Sequence, residues 1–212
     1  MEQMYSKESI FKIHYWLGAE VEGKYRMPVL KPNNYIPRNV YSFTERSTVK
    51  RPGSYWLDFF VDDIRFECLW NCPQRYFKQL RNFEGIIAPD FSLLPDMPVG
   101  QIIWNCTRSR IMTYYLQQHG FSVIPVASWS CTEDFDWCFD GLPKNSSIAL
   151  TANGCKKSSY AKRTFLAGID ALQKTKKPSA IIICGKHIDE LEKYDNIIYY
   201  PNLSQRWKER VA

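Results

Sequence analysis

The chain has no CxxC pair, no apolar run near the roughly 20 residues a membrane-spanning helix needs, and no glycine-rich turn after its first strand-like run. Each absence excludes something. Without paired cysteines there is no recognisable zinc set, and the seven cysteines (Cys68, Cys72, Cys106, Cys131, Cys138, Cys155 and Cys184) are an odd number that argues against a disulfide framework. The opening residues MEQMYSKESIFK carry acids and no uninterrupted apolar core, so no signal peptide is expected. These features together lead to the expectation of a soluble, cytoplasmic protein with reduced thiols. Histidine is scarce as well. With three in the chain and none beside Cys155, a cysteine nucleophile is not expected, although Lys156 and Lys157 adjoin that thiol. The turn VDDIRFE after the first strand lacks the glycine fingerprint of a dinucleotide fold.

What is present is a large apolar and aromatic content in 212 residues, enough for one sizeable core. A single globular unit is expected, with residues 1–54 as an N-terminal helix and loop-rich segment packed on a repeat domain spanning 55–212. Charge is uneven along it. Residues 155–212 hold 12 Lys+Arg against 6 Asp+Glu, whereas residues 1–154 hold 16 of each, so the formal +6 lies in the last quarter. A basic end of this kind favours phosphate-bearing partners.

Ser6 to Leu17 read as a short amphipathic helix, and the stretch from Glu20 to Ser54 as loops rich in proline and asparagine. From Tyr55 onward, short apolar runs alternate with helical patterns, the signature of repeated βα units and a mainly parallel sheet. Strands are expected over 55–61, 85–88, 121–127, 147–151, 179–184 and 196–200. Helices are expected over 73–83, 98–119, 132–140, 158–176 and 186–194, with a last one from Ser204. The fold class is therefore α/β. A barrel-like arrangement, an incomplete TIM-barrel-like one short of eight strands, is favoured over an open doubly wound sheet.

The stretch GIIAPDFSLLPDMPVGQIIWNCTRSR organises the rest, because a short strand ends on Asp90 and a helix carrying arginines follows. In such folds strand carboxyl ends converge on the ligand. They project Asp62 and Asp63, then Asp90, then Ser128 and Trp129, then Asn153 and Gly154, then Gly185 and Lys186, towards one rim. Asp62, Asp63 and Asp90 could bind Mg²⁺ or Mn²⁺, with Asp63 and Asp90 as catalytic carboxylates. Arg65, Arg108 and Arg110 suit phosphates, with Asn105 three residues before Arg108 on the same helix face. Each has a plainer alternative. Asp90 and Ser92 can bond their own turn, Asp62 or Asp63 can pair with Arg65, and Arg108 can reach back to Asp63 or Asp90. The turn TANGCKKS is not a P-loop, but Gly154, Ser158, Lys156 and Lys157 can form a small anion-binding turn. The aromatic segment around Trp129, Phe135, Trp137 and Phe139 reads as core or as a lid, and Arg206, Trp207, Lys208 and Arg210 as a solvated basic face or a nucleic-acid contact.

The motifs DDIRFE at 62–67, PDFS at 89–92, NxxRxR at 105–110, GFSVIPVASW at 120–129 and ANG at 152–154 resemble, in this order, a domain family of unknown function. That family is associated with bacterial genomes, phages, prophages and mobile elements. The resemblance covers roughly residues 30–205 and carries no established activity. It implies a phage or mobile-element setting, and one shared site for Asp62, Asp63, Arg65, Asp90, Asn105, Arg108 and Trp129. The expected function is binding of a phosphorylated or nucleotide-type ligand at the strand ends, with metal-dependent hydrolysis as its enzymatic version. The rival expectations are a nucleic-acid-binding accessory factor for replication or transfer and a protein that binds and inhibits a host factor; no membrane contact is expected.

Overall fold

The structure is a computed structural model that describes residues 11–155 and 157–211, with side chains through residue 208. Of the helix expected over 6–17, residues 6–10 fall outside this range, and the remainder holds one turn of 3-10 helix, Ile13–Tyr15. Lys156 and the Arg210 side chain also lie outside it.

A two-stranded antiparallel ribbon, β1 (Val21–Glu22) and β2 (Met27–Pro28), precedes the main sheets. Strands β3 (Val40–Ser42), β4 (Trp56–Asp58), β5 (Gly85–Ile87) and β6 (Val123–Ile124) then form one parallel sheet in chain order. Strands β7 (Ser147–Thr151), β8 (Ala180–Cys184) and β9 (Ile197–Tyr200) form a second parallel sheet, also in chain order. The helices are α1 (Glu67–Asn71), α2 (Gln74–Leu80), α3 (Val99–Gln118), α4 (Ser159–Lys176) and α5 (Leu203–Val211).

Local chemistry accounts for these elements. The run AIIIC of β8 is buried along its whole length, as a strand covered on both faces must be. Ser158 caps α4 by accepting from Ala161 N at 3.0 Å, and Lys177 ends it in the left-handed conformation before Pro178. Gly85 in β5 has a packing reason, since a Cβ there would lie 2.4 Å from the Trp56 ring.

The strands alternate between two cores. Ala149, Ile182 and Cys184 join Val40, Leu57, Ile86 and Ile124 in an inner cluster shared by both sheets. Ile148, Leu150, Ile181 and Ile183 face the other way, onto Phe165, Ile169 and Leu172 of α4. The sheets meet at one seam through an isolated parallel bridge, Val126 to Ala149, with Ala127 N donating to Ala149 O at 3.0 Å. At the other seam the contacts are side-chain ones: Tyr200 Oη donates to Pro37 O, and Arg206 bonds Glu45.

The α/β class with parallel sheets is what the pattern predicts, but neither sheet closes on itself, so a barrel is not formed by backbone pairing among the described residues. The physical reason lies in β3, which sits in the proline- and asparagine-rich stretch read as loop. It extends the first sheet from β4, and the β9 edge approaches it through side chains rather than through a ladder. The segments expected as helices over 132–140 and 186–194 are short 3-10 turns, Thr132–Asp136 and Asp189–Leu191. In the first, Asp134 is turned back to bond Ser130 N and Cys131 N.

Candidate functional site

A cavity of about 1350 Å³ lies at the carboxyl ends of the strands. Thr44 and Glu45 enter it after β3, Phe60 to Asp62 after β4, Asp90 after β5, Ser128 and Trp129 after β6, and Asn153 and Gly154 after β7. The first residues of α4 and the inward side of α5 complete its wall.

Asp90 is the chemical centre of this wall. Ser128 Oγ donates to its Oδ1. Burial pushes its carboxyl up to about 7, with the Asp63 charge adding to the rise, while the Ser128 hydrogen bond and Arg110 oppose it. A carboxyl that titrates near neutrality inside a cleft is the physical profile of a proton-transfer group.

Behind the rim, a short hydrogen-bonded chain holds the loop after β5. The Asp63 carboxylate accepts from Ser92 N at 3.2 and 3.1 Å and from Ser92 Oγ at 2.8 Å, and Asn105 Nδ2 donates to Ser92 O at 2.8 Å. Ser92 itself lines the cavity. Arg108 ties α3 to α1: its Nη2 lies 2.5 Å from both Glu67 oxygens, and its guanidinium sits 3.9 Å over the Phe91 ring and 4.8 Å over Trp70. Arg110, 1 % exposed, donates to three backbone carbonyls, Asp140 O at 3.0 Å, Val126 O at 2.9 Å and Cys138 O at 2.7 Å.

Of the residues expected on one rim, the cavity thus takes in Asp62, Arg65, Asp90, Trp129 and Asn153, while Asp63, Asn105, Arg108, Arg110, Gly185 and Lys186 stand outside its lining. The oxygens of Asp62, Asp63 and Asp90 do not gather within 4.8 Å of one another, as a shared cation would require. The reason is that Asp63 turns to Ser92, while Asp62 points to solvent with Arg65 Nε 3.7 Å away. Among the described residues a set with that spacing is formed by His187, Asp189 and Glu192, all exposed.

A family profile described as Domain of unknown function (DUF4417) matches residues 19–201. The chain belongs to this family. It is 32% identical over 193 residues to the Gene 1 protein of Mycobacterium phage D29, covering 89% of this chain and 71% of that protein. With the Gene 1 protein of Mycobacterium phage L5 it shares 32% identity over 198 residues, covering 91% and 86% respectively. No solved structure matches. The span matched to DUF4417 includes Asp90, Ser128 and Asn153, and α5 follows it. No helix among the described residues of this DUF4417 chain is long and apolar enough to cross a membrane.

Trp129 is fixed in this site by α4. Its Nε1 donates to Thr164 O at 3.2 Å, and its ring occupies the space above Gly168, where a Cβ would lie 2.1 Å from Cε2. Gly168→Ala is therefore expected to lower stability by about 1–3 kcal/mol in urea titrations, because the overpacking outweighs the better helix propensity of alanine. A stabilised variant would show that the indole relaxes freely.

Sequence reasoning did not single out Tyr160 or the ion cluster of Glu45, Asp58 and Arg206. Tyr160, 52% exposed, and Trp207, 61% exposed, stand on the cavity wall. Arg206 reads as a solvated cation in sequence but is 7% exposed, with Nε and Nη2 donating to Glu45 Oε2 at 3.2 and 2.8 Å. The signal available for it was weak: an arginine beside a tryptophan in a terminal helix fits a surface and an anchor equally well.

Proposed function

We propose that this phage-type protein binds a phosphorylated or nucleotide-type ligand in the strand-end cavity, with Asp90 as the proton-transfer group of a hydrolytic reaction. The observation that carries the reading is the convergence on one cavity of Asp90, of Lys157 and Ser158 at the start of α4, and of the rings of Trp129, Tyr160 and Trp207. An anionic group fits the α4 end, where free backbone amides and the Lys157 ammonium favour negative charge. A planar base fits the aromatic wall. Arg65 and Asn153 supply further polar contacts from the lining.

The seven parallel strands from β3 to β9 are read here as an incomplete barrel. The support is the inner apolar cluster to which both sheets contribute. In such an architecture the carboxyl-end rim is the place for a ligand. The Asp63–Ser92–Asn105 chain then serves to hold the Asp90 loop, and Arg108 and Arg110 act as structural cations rather than as phosphate clamps.

The test is calorimetric titration of the full chain with nucleoside mono-, di- and triphosphates, with and without Mg²⁺ or Mn²⁺. Saturable binding is expected, and Lys157→Ala should weaken it about tenfold, or about 1.4 kcal/mol, with an unchanged unfolding midpoint. Absence of binding by all of them, or an unaffected Lys157→Ala, would refute the reading. A host-protein partner is favoured by one observation, the exposure of Ile64 (86%) and Leu94 (49%) beside the cavity-lining residues Asp62, Arg65, Leu93 and Pro95. The nucleic-acid alternative loses its central cation, because Arg206 is committed to Glu45.

A further inference from the structure

Helix α5 borders the cavity yet adds nothing to either apolar core. Leu203, Ser204 and Trp207 line the cavity, while none of the described α5 side chains belongs to the two clusters of buried residues or packs among their partly buried neighbours. Within the described part of the helix, the buried side chain is Arg206.

That side chain reaches from the helix after β9 to the far sheet. It bonds Glu45, just beyond β3, and its Nη2 stands 3.8 Å from Asp58 Oδ2 at the end of β4, while Nη1 donates to Pro201 O in the connector. A second polar tie joins Asn202 Nδ2 to Asn153 Oδ1 at 2.8 Å. Asn202 and Gln205 cap each other, each backbone N–H donating to the other's side-chain oxygen at 3.0 Å, so the first turn is locally self-supporting. A segment with such a cap, few apolar contacts and a polar attachment is the kind that opens locally while the core stays folded. Charged latches suit that role, because separation returns to each ion the hydration it lost on burial.

We propose that α5 is a lid over the cavity, hinged at Pro201 and Asn202 and held shut by the latch of Arg206 on Glu45 and Asp58. The inference rests on the reading of the cavity as a ligand site: an open lid admits the ligand, and a closed one lays Trp207 against it.

Cys155 reports on opening, since it lines the cavity and is 5% exposed, whereas Cys138, 0% exposed, lies in the core outside the cavity lining. The full chain is pulsed with N-ethylmaleimide at constant pH, and labelling is read by peptide mass spectrometry. Arg206→Gln is expected to speed Cys155 labelling about tenfold while Cys138 keeps its rate. Because this single substitution leaves two buried acids facing each other and can undo the fold, a balanced variant that leaves no charge in the cluster, Arg206→Met with Glu45→Gln and Asp58→Asn, is measured beside it and should give the same selective rise. If Cys155 stays slow in the balanced variant, or if Cys155 and Cys138 accelerate together, α5 is a fixed wall and the proposal is overturned. No nucleotide is present in this experiment, so failure of the lid and failure of ligand binding are read separately.

Discussion

Arg110→Met is expected to destabilise the fold by about 3–5 kcal/mol, among the largest single-residue losses in the chain. The guanidinium is almost fully buried and gathers Val126 O after β6 together with Cys138 O and Asp140 O. Methionine fills much of the volume but leaves Val126 O and Asp140 O without this donor and Cys138 O with only the weak Cys106 thiol at 3.8 Å, and a buried polar group stripped of its partner costs about 1–3 kcal/mol. Arg110→Lys should recover only part of the loss, since one ammonium cannot span three acceptors held by a planar fork. Urea denaturation of the three proteins is the measurement. A loss below about 1 kcal/mol for Arg110→Met would mean that water or a backbone shift satisfies the carbonyls, and that the arginine is freer than its contacts imply.

The second large effect runs the other way. Asp90→Asn is expected to stabilise the protein at pH 8 by up to about 4 kcal/mol and to leave it unchanged near pH 4. Folding raises the Asp90 carboxyl to about 7, from an ordinary value of about 3.9 in the unfolded chain. Between those limits the folded state holds a proton that the unfolded state has released, so stability falls as pH rises from about 4 to about 7 and is flat above. Burial likewise lifts Asp58 to about 6, against the attraction of Arg206, and adds its own decline over the lower part of that window. Glu22 and Asp170 work in the opposite sense: the Gly141 amide and Lys176 hold Glu22 low, and Tyr194 and Lys193 hold Asp170 low, so their contributions fade on acidification. The difference between wild type and Asp90→Asn isolates the Asp90 part. Thermal unfolding of both from pH 4 to pH 8 should show two curves that converge in acid and separate in base. Parallel curves would show that Asp90 titrates as an ordinary carboxylate. In the proposed reaction the same substitution removes the proton acceptor, so a variant that is more stable and inactive is the expected signature of a site held ready at the expense of the fold.

Much of the framework was legible in the sequence. The apolar run over 147–151 is β7 with the same limits, and the long helices α3 and α4 lie within a residue of the expected 98–119 and 158–176 at each end. These elements carry their signals locally, in apolar runs, a serine cap and terminal lysines. Strand β3 did not, because three residues among prolines show no usable period and become a strand by pairing with β4. The site was legible at the level of strand ends, where Asp62, Asp90, Trp129 and Asn153 all reach the cavity. It was not legible for the charged side chains on α3. Helical spacing places Arg108 and Arg110 on neighbouring faces but is silent about what lies opposite them, which here is Glu67 for one and three carbonyls for the other.

The sequence by itself determined the α/β class, the order of the repeated units and the rim from which Asp90 projects, since each follows from periodicity and punctuation within short stretches. Tertiary structure alone decided that Asp63 turns to Ser92 instead of to a shared cation, that Arg206 is buried against Glu45 instead of being a surface charge, and that the two sheets meet through side chains at one seam. Those outcomes depend on which groups distant in sequence arrive at hydrogen-bonding distance. A charged group withdrawn from water takes whatever partner the packing supplies, and that partner is not written in its own neighbourhood of the chain.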